Sequence, residues 1–597
     1  MRNPFSTKLV APAEAPVAEP DGRSPTDKEA GITQQPLGDR QGGHHSDSDD
    51  DAIDKNAQAG VQKIEAITKV WSRNHLILAY VFIWIIYFID AMEQGMGSFL
   101  TPYVTSSFNQ HSLTSTTNVM AQIIGGVSKL TLAKILDIWG RPQGFLLSGV
   151  ILTIGLIMMA ACVNVEMYAA AQVFYWVGYN GVGYAMTIFI ADTSHLKNRG
   201  LMLGFISSPY IITTWISSPL AEHVIKGIGW RWGYGVFAIV TPLMCLPLFY
   251  LFTSNYVKAK KMGLVIPRDS RRTTWQSIQH YFWEFDVICL LLVMGGFALF
   301  LLPFNIYSYQ AEGWKSPLVI CLIIFGSLML IGAALWEKYF APVKFLPWEL
   351  LSDRTVIGGC VLAAALFVEY YLWYGYFTSF MQVPLNLSIT TSGYISNIYT
   401  IGSCVSSLIF GLLIRWTGRF KWTALYMGVP LTILGVGLMI HFRQPGVNVG
   451  YIVMCQIFIA FGGGACVIAE QVAVMAAAAH QHVAVVLAVE GLFANVGGGI
   501  GATVSAAIWT GVFPKRLAEY LPAEAMDDFA NIYGDIVVQL SYPVGSPTRD
   551  AINLAYAASQ RYMLISATAV LACCIPAVML WRNIYLKDFK QVKGRVI

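Results

Sequence analysis

Charge is scarce in this chain. Asp, Glu, Lys and Arg make up 12% of its 597 residues, where a soluble domain carries roughly 25%. The net charge of +4 is too small to hold a nucleic acid, so no nucleic-acid partner is expected. No Gly-rich phosphate loop, HExxH or Ser/His/Asp signature occurs, which leaves an ATP-driven pump or a membrane hydrolase without support. Neither an enzyme nor a cofactor is expected. No charged n-region followed by an apolar h-region opens the sequence, so no cleavable signal peptide is expected. All ten cysteines, from Cys162 to Cys574, lie in apolar segments. That argues against a disulfide framework, and without a CxxC pair no metal cage is expected. Adjacent Cys573 and Cys574 point about 100° apart on a helix and would not share a ligand easily. The cysteines read as small, polarisable packing residues.

What the chain has is apolar length. Hydrophobic residues are 55% of it, and mean hydropathy is +0.54. Runs such as Leu76–Ile89, Phe145–Cys162 and Ile452–Val467 approach or reach membrane-spanning length with almost no charge. Fourteen spanning helices are predicted in an all-α membrane protein embedded in a lipid bilayer and expected as a monomer. They lie near 75–97, 117–137, 144–163, 167–191, 200–221, 233–252, 285–303, 317–336, 355–381, 393–415, 423–441, 449–475, 484–510 and 561–582. Residues 1–70 are rich in Pro, Gly, Asp, Ser and Gln and read as a disordered tail. His44 and His45 beside its aspartates read as solvated tail, with Ser46 and Ser48 as candidate phosphorylation sites.

A short pattern occurs twice, each time in a polar break between apolar segments. The first copy, Ala133–Pro142, carries Gly140-Arg141; the second, Gly411–Lys421, carries Gly418-Arg419. A tight Gly-Arg turn used once in each half marks a duplicated bundle. The expected units are a six-helix bundle over 71–256, an insertion over 257–354, a second six-helix bundle over 355–582 and a tail over 583–597. The insertion holds a cytoplasmic amphipathic segment and two helices. With the N-terminus inside, the inner loops and the C-terminal tail collect 21 Lys and Arg, whereas the short outer loops hold Lys226, Arg231, Lys315 and Arg443. Both termini are therefore expected in the cytoplasm.

Two connections stand apart. Residues 257–284 are basic, then amphipathic with Trp275, Ile278, Tyr281 and Phe282, and read as an interfacial helix drawn to anionic lipid. Residues 511–560 form a long outer loop with Tyr520, Tyr533, Tyr542 and Tyr556, too long for a simple connector. Two readings stand: a lid over the outer mouth, or a tolerated insertion.

Ionisable groups at membrane depth cost about 2.5–3.5 kcal/mol each on insertion scales, so each needs a reason. The candidates are Asp90 and Glu93, Lys129, Glu369, Glu470 beside Gln471, and Glu490. Carboxylates outnumber the one lysine, so some must be protonated or face water. That is what a proton-coupled carrier needs; solvation of Asp90 and Glu93, or a structural link at Glu470, is the plainer alternative. Glu369 lies among Phe367, Tyr370, Tyr371, Trp373, Tyr374, Tyr376 and Phe380, and Tyr175, Trp176, Tyr179, Asn180 and Tyr184 cluster on another helix. Such rings either pack against lipid and neighbours or line a cavity for a bulky amphipathic solute.

Both Gly-Arg stretches resemble the signature loop of the major facilitator superfamily. That resemblance implies two six-helix bundles with two inserted helices, rocking about a central site. It implies a cytoplasmic gate at Asp137, Gly140, Arg141, Arg415, Gly418 and Arg419, and neighbouring helices for Lys129 and Glu490, hence an ion pair there. Arg415 stands where the first copy has Asp137, so a second lock would use reversed charge. Ile85–Ala91, Ala191–Arg199, Gly229–Gly233, Ala469–Ala477 and Lys590–Val596 are similar to the fungal siderophore-iron transporters over roughly residues 70–597. This implies proton-coupled import of a ferric siderophore, a hydroxamate such as triacetylfusarinine C, across a fungal membrane. The plasma membrane is expected, with an endosomal or vacuolar membrane left open. A fourteen-helix drug:proton antiporter is the alternative, weakened because its glycine-rich bend reads Gly204–Thr213 here, with Ser208, Ile212 and Thr213 at glycine positions. A nutrient sensor is a second alternative.

Overall fold

The computed structural model describes residues 67–588, apart from 69, 108–123, 127, 130, 137, 265–272, 304–306, 308, 309, 311, 343–350, 479–481 and 535. Asp137, nearly half of the expected helix over 117–137 and nearly all of the expected tail over 1–70 lie outside the described residues. So do Lys590, Lys593 and Arg595.

The described residues are helical, with no strand among them. In chain order the helices are α1 (Arg73–Ser107), α2 (Arg141–Ala161), α3 (Val165–Thr193), α4 (Leu196–Ser207), α5 (Pro209–Lys226) and α6 (Trp230–Lys261). The next group is α7 (Thr274–Glu284), α8 (Val287–Leu301) and α9 (Pro317–Tyr339). Then follow α10 (Arg354–Tyr374), α11 (Phe377–Gln382), α12 (Ile389–Thr417), α13 (Val429–Phe442), α14 (Val449–Ala477) and α15 (Val483–Tyr520). The last are α16 (Phe529–Gly534), α17 (Ile536–Ser541), α18 (Pro547–Leu571) and α19 (Cys574–Leu580).

Among the described residues eleven helices are long and apolar enough to cross a membrane, and α7 with α8, bent by 51°, makes a twelfth where the pair is counted as one span. α3 is a 29-residue helix, but it is not among those spans, because its glycines and tyrosines dilute its hydropathy. α4 and α5 form one span broken at Ser208-Pro209. Proline has no N–H to continue the ladder, and the Ser208 hydroxyl turns back to the Phe205 carbonyl at 2.7 Å. The bend between α7 and α8 falls at Asp286, whose backbone is left-handed (φ 45°); aspartate tolerates that region better than most residues.

Burial separates core helices from lipid-facing ones. α9 buries only Val319, Gly326 and Ala333, each seven residues from the last, a narrow seam against α8. Its other faces expose Leu318, Ile324, Phe325, Leu328 and Ile331, as lipid contact allows. By contrast α14 and α15 are buried along much of their length.

Candidate functional site

The first Gly-Arg turn is built around glycine geometry and one buried ion pair. Gly140 sits at φ 118° and ψ 159° at the start of α2, a backbone that side chains avoid. Arg141 follows at once, buried, and its Nε donates to Asp192 Oδ2 at 2.9 Å. The partner thus comes from the last turn of α3. Arg199, fully buried on α4, lies beside Asp192 and Tyr80. Asp192 and Arg199 were visible in the sequence only as part of a motif; an acid and a base at adjacent helix ends were the available signal.

At this end the two halves touch backbone to backbone. A Cβ on Gly411 of α12 would lie 2.6 Å from the Gly200 carbonyl oxygen of α4, and one on Gly204 would lie 2.9 Å from the Ser407 carbonyl. The Tyr184 hydroxyl donates to the Ala484 carbonyl, a further tie between α3 and α15. Toward the other end side chains also meet across the halves, as in the Trp215–Tyr394 contact at 5.5 Å.

There the halves enclose a cavity of about 520 Å³, within the range of small-molecule sites. The predicted residues Glu93, Tyr175 and Tyr370 line it, as do Gln94, Gln172, Trp176, Tyr210, Tyr234, Tyr374, Asn397 and Thr400. One wall is a polar network. Tyr210 Oη donates to Gln94 Oε1 at 3.1 Å and lies 2.7 Å from Tyr179 Oη, while Gln172 Nε2 donates to Tyr168 Oη at 2.7 Å. The facing wall is aromatic: Tyr370 stacks on Tyr374 and packs on Tyr399, each at 5.1 Å. Sequence reading missed the polar wall. Tyr210, Thr213, Thr214 and Ser217 all line the cavity at a spacing that marks one helical face, and that stripe was the signal.

The carboxylates divide into three groups. Glu93 lines the cavity; its Oε2 accepts from the Thr241 hydroxyl at 3.2 Å, and its buried Oε1 has no hydrogen-bond partner among the described residues. Asp90, one turn earlier, is buried near Tyr210 and Cys245. Glu369 is buried inside the second half near Tyr399, Cys466 and Cys574 and is not a lining residue. Glu470 and Glu490 lie side by side between α14 and α15. Lys129 lies beside Glu490 and over Gly491.

Other predicted cavity residues sit elsewhere. Asn180 Nδ2 donates to the Trp176 carbonyl at 2.8 Å and faces Gly125. Trp373 is fully buried, Gln471 is half-buried, and Tyr376, left-handed at φ 56°, stacks on Trp509 at 4.1 Å. None of these lines the cavity.

A profile of the Major Facilitator Superfamily matches residues 83–343. The "MFS siderochrome iron transporter 1" of Ajellomyces capsulatus is 61% identical over all of both chains. The "Siderochrome iron transporter 2" of Aspergillus fumigatus is 44% identical over 91% of this chain and 90% of its own. The "Siderophore iron transporter mirB" of Emericella nidulans is 40% identical over 99% of this chain and 98% of its own. The chain belongs to this siderochrome iron transporter family of the Major Facilitator Superfamily. It is an integral multi-pass membrane transporter, not an enzyme.

The transporter's second Gly-Arg turn is built differently from the first. Gly418 is left-handed at φ 70° and closes α12. Lys421 Nζ donates to the carbonyls of Met579 at 2.7 Å and Trp581 at 2.6 Å, Lys587 Nζ donates to the Trp416 carbonyl at 2.7 Å, and the Leu586 N–H donates to the Gly418 carbonyl at 3.0 Å. Arg415 and Arg419 are exposed. The turn is clasped by lysines on carbonyls and by the segment after α19.

The transporter's long connection near the cavity end is folded. α15 runs through Tyr520 and α18 begins at Pro547, so the irregular part is shorter than the expected 511–560. Arg549, buried, gathers the carbonyls of Gln539 (2.7 Å), Tyr542 (3.1 Å) and Val383 (2.9 Å). Tyr556 is buried and donates to Gln539 Oε1 at 2.8 Å, while Tyr533 packs on Phe513 at 6.0 Å. Tyr542 donates to Asp528 Oδ2 at 2.9 Å, and Tyr520 is exposed. Hydrogen bonds from Asn531 and Tyr542 hold the Asp528 carboxyl below the usual carboxylate range.

Proposed function

We propose that this transporter imports a ferric siderophore of hydroxamate type by proton symport, with Glu93 as the coupling carboxylate. The observation that carries the reading is a buried carboxylate on the wall of the cavity between the two halves, with one oxygen left without a partner. Such a group takes up a proton when the cavity is wet and gives it up when its surroundings change. Asp90, one turn away, is the natural relay.

The cavity suits a solute that brings its own iron ligands. Three hydroxamates neutralise Fe(III), and the resulting chelate is bulky, amphipathic and uncharged. Rings on one wall and hydroxyl and amide groups on the other match its two kinds of surface. Glu93 is the single carboxylate among the described lining residues, far from the set that would strip iron from a chelator. The names of the three relatives point the same way.

With both termini in the cytoplasm of a cell whose plasma membrane holds the transporter, the Gly-Arg end faces inward and the cavity lies on the outer side. The monomer is then poised to receive solute from outside, and rocking about α4–α12 would expose it to the cytosol. The test is uptake of radiolabelled ferric hydroxamates in cells lacking other iron importers, with and without a protonophore. Uptake abolished by the protonophore and by Glu93→Gln, at equal surface level, is expected. Efflux of the chelate, or uptake indifferent to both treatments, would remove the proposal.

A further inference from the structure

Where the inserted helices meet the Gly-Arg end, three side chains of metal-ligating type converge. Asp286 caps α8, Cys289 lies in its first turn, and Glu337 lies in the last turn of α9. One ligand atom from each falls within 4.8 Å of the others, with Asp286 and Cys289 buried. Asp286 Oδ1 is already used: it accepts the Cys289 N–H at 3.2 Å and the Trp336 indole N–H at 2.9 Å. Its Oδ2 is buried without a hydrogen-bond partner among the described residues. A carboxylate oxygen so far from water needs a cation or a donor to offset its lost hydration.

A cation stands close by. Lys134, from the segment that leads into Gly140-Arg141, donates its Nζ to the Glu284 carbonyl at 3.1 Å, and its charge acts on Asp286, Glu284 and Glu337. We propose that Asp286, Cys289 and Glu337 form a site for a divalent transition-metal ion, of the Fe(II) or Zn(II) class, which displaces the Lys134 ammonium. A thiolate with two carboxylates favours borderline ions over Mg(II) or Ca(II). Three protein ligands and one water complete a tetrahedron. Binding releases the Cys289 thiol proton to water, as metal–thiolate formation requires.

The geometry gives the exchange a consequence. The three ligands belong to the insertion, while Lys134 belongs to the first half. A bound ion therefore loosens an electrostatic tie between the inserted helices and the first Gly-Arg turn. This inference does not rest on the identity of the transported solute.

The full chain, purified in nanodiscs and stripped with a chelator, is titrated with Zn(II) and, for spectroscopy, Co(II). Retention of one metal per chain after desalting is expected, with a thiolate-to-cobalt charge-transfer absorption. Both vanish in Cys289→Ser. Glu337→Gln weakens binding by about tenfold or more, as loss of a supporting or direct ligand does. Asp286→Asn keeps the capping acceptor, so it reports loss of the ligand without loss of the helix end. Cys321→Ser, at an exposed cysteine of α9 outside the cluster, retains full binding. Lys134→Gln tightens binding by about tenfold, since a competing charge is gone. Absence of the cobalt band in the wild type, or its survival in Cys289→Ser, overturns the site. Unchanged affinity in Lys134→Gln overturns the displacement.

Discussion

At the residue scale, the question is which buried carboxylate feels the solute. Glu93 lines the cavity and Glu369 does not, so the two are expected to separate. Glu93→Gln should bring uptake down to the level seen with a protonophore and erase its dependence on outside pH. Glu369→Gln should lower the amount of folded protein more than it alters that dependence. Initial rates across a pH series, normalised to surface protein, check both; a pH dependence lost only in Glu369→Gln would reverse the assignment. Sequence alone made these carboxylates visible, because any charge in an apolar run stands out. It favours Glu369, at the centre of its aromatic helix, whereas the cavity wall favours Glu93. Whether Glu369 faces the cavity or the interior near Tyr399, Cys466 and Cys574 is decided by how α10 sits against α12, α14 and α19. The polar face of α5 was legible by its spacing, yet its hydroxyls carry no charge to draw the eye. Arg141 and Asp192 form a buried pair beside Arg199, and removing Arg141 breaks the contact that Asp192 makes at 2.9 Å. Arg141→Ala is expected to cost about 3–5 kcal/mol of stability, read as a lower melting temperature in detergent.

At the scale of elements, the connection between α15 and α18 reads from sequence as a long loop, and nearly half of that stretch belongs to the two flanking helices. Polar residues such as Lys515, Arg516, Asp550 and Asn553 look like loop, but outside the bilayer a helix needs only one apolar face, and Phe513, Leu517, Ile552 and Tyr556 supply it. The tyrosines then differ in consequence. Tyr556→Ala empties a buried, hydrogen-bonded position and is expected to cost about 3–5 kcal/mol, as large aromatic deletions do. Tyr520→Ala, at an exposed position, is expected to leave stability alone and to change apparent affinity if this element receives solute. Thermal melts and uptake kinetics on the same two variants separate the roles; equal destabilisation by both would show that burial does not govern this element. Asp528 gives the element a pH response. Its folded carboxyl is held below the usual range, so its contribution is present above the unfolded value and is lost as pH falls through the lowered one. The segment over 521–546 should therefore keep its hydrogen-exchange protection at mildly acidic pH and loosen only in stronger acid. Asp528→Asn should remove that step; an identical acid transition in the variant would assign it to another group.

At the scale of the whole molecule, the duplicated plan is read from a Gly-Arg turn in each half, whose glycine takes a positive φ both times. The segment over 257–354 reads in the sequence as surplus length between the repeats, but its contacts cannot be read there, since Lys134 and Trp139 meet Glu284, Tyr281 and Phe285 only after folding. The crossing of α4 and α12 was equally hidden, although its glycines were in plain view. Alternating access requires this crossing to close and open in turn. Closure brings Gly411 against the backbone of Gly200, where an added Cβ would stand 2.6 Å from a carbonyl oxygen and 2.7 Å from its carbon. Neither atom is the end of a flexible side chain, so the helices themselves must separate. Gly411→Ala is therefore expected to disfavour the conformation seen here and to populate the one open at the Gly-Arg end. A cost of about 1–3 kcal/mol for overpacking corresponds to a population shift of roughly five- to 150-fold. Single cysteines placed on α12 near the Gly-Arg end should then label faster in Gly411→Ala than in the parent. Cysteines beside the cavity, on α1 or α5, should label more slowly. Gly393→Ala, on the same helix where nothing lies within 4 Å of an added Cβ, should leave both rates unchanged. If Gly411→Ala labels like the parent at both ends, the α4–α12 contact is not the closure on which transport turns.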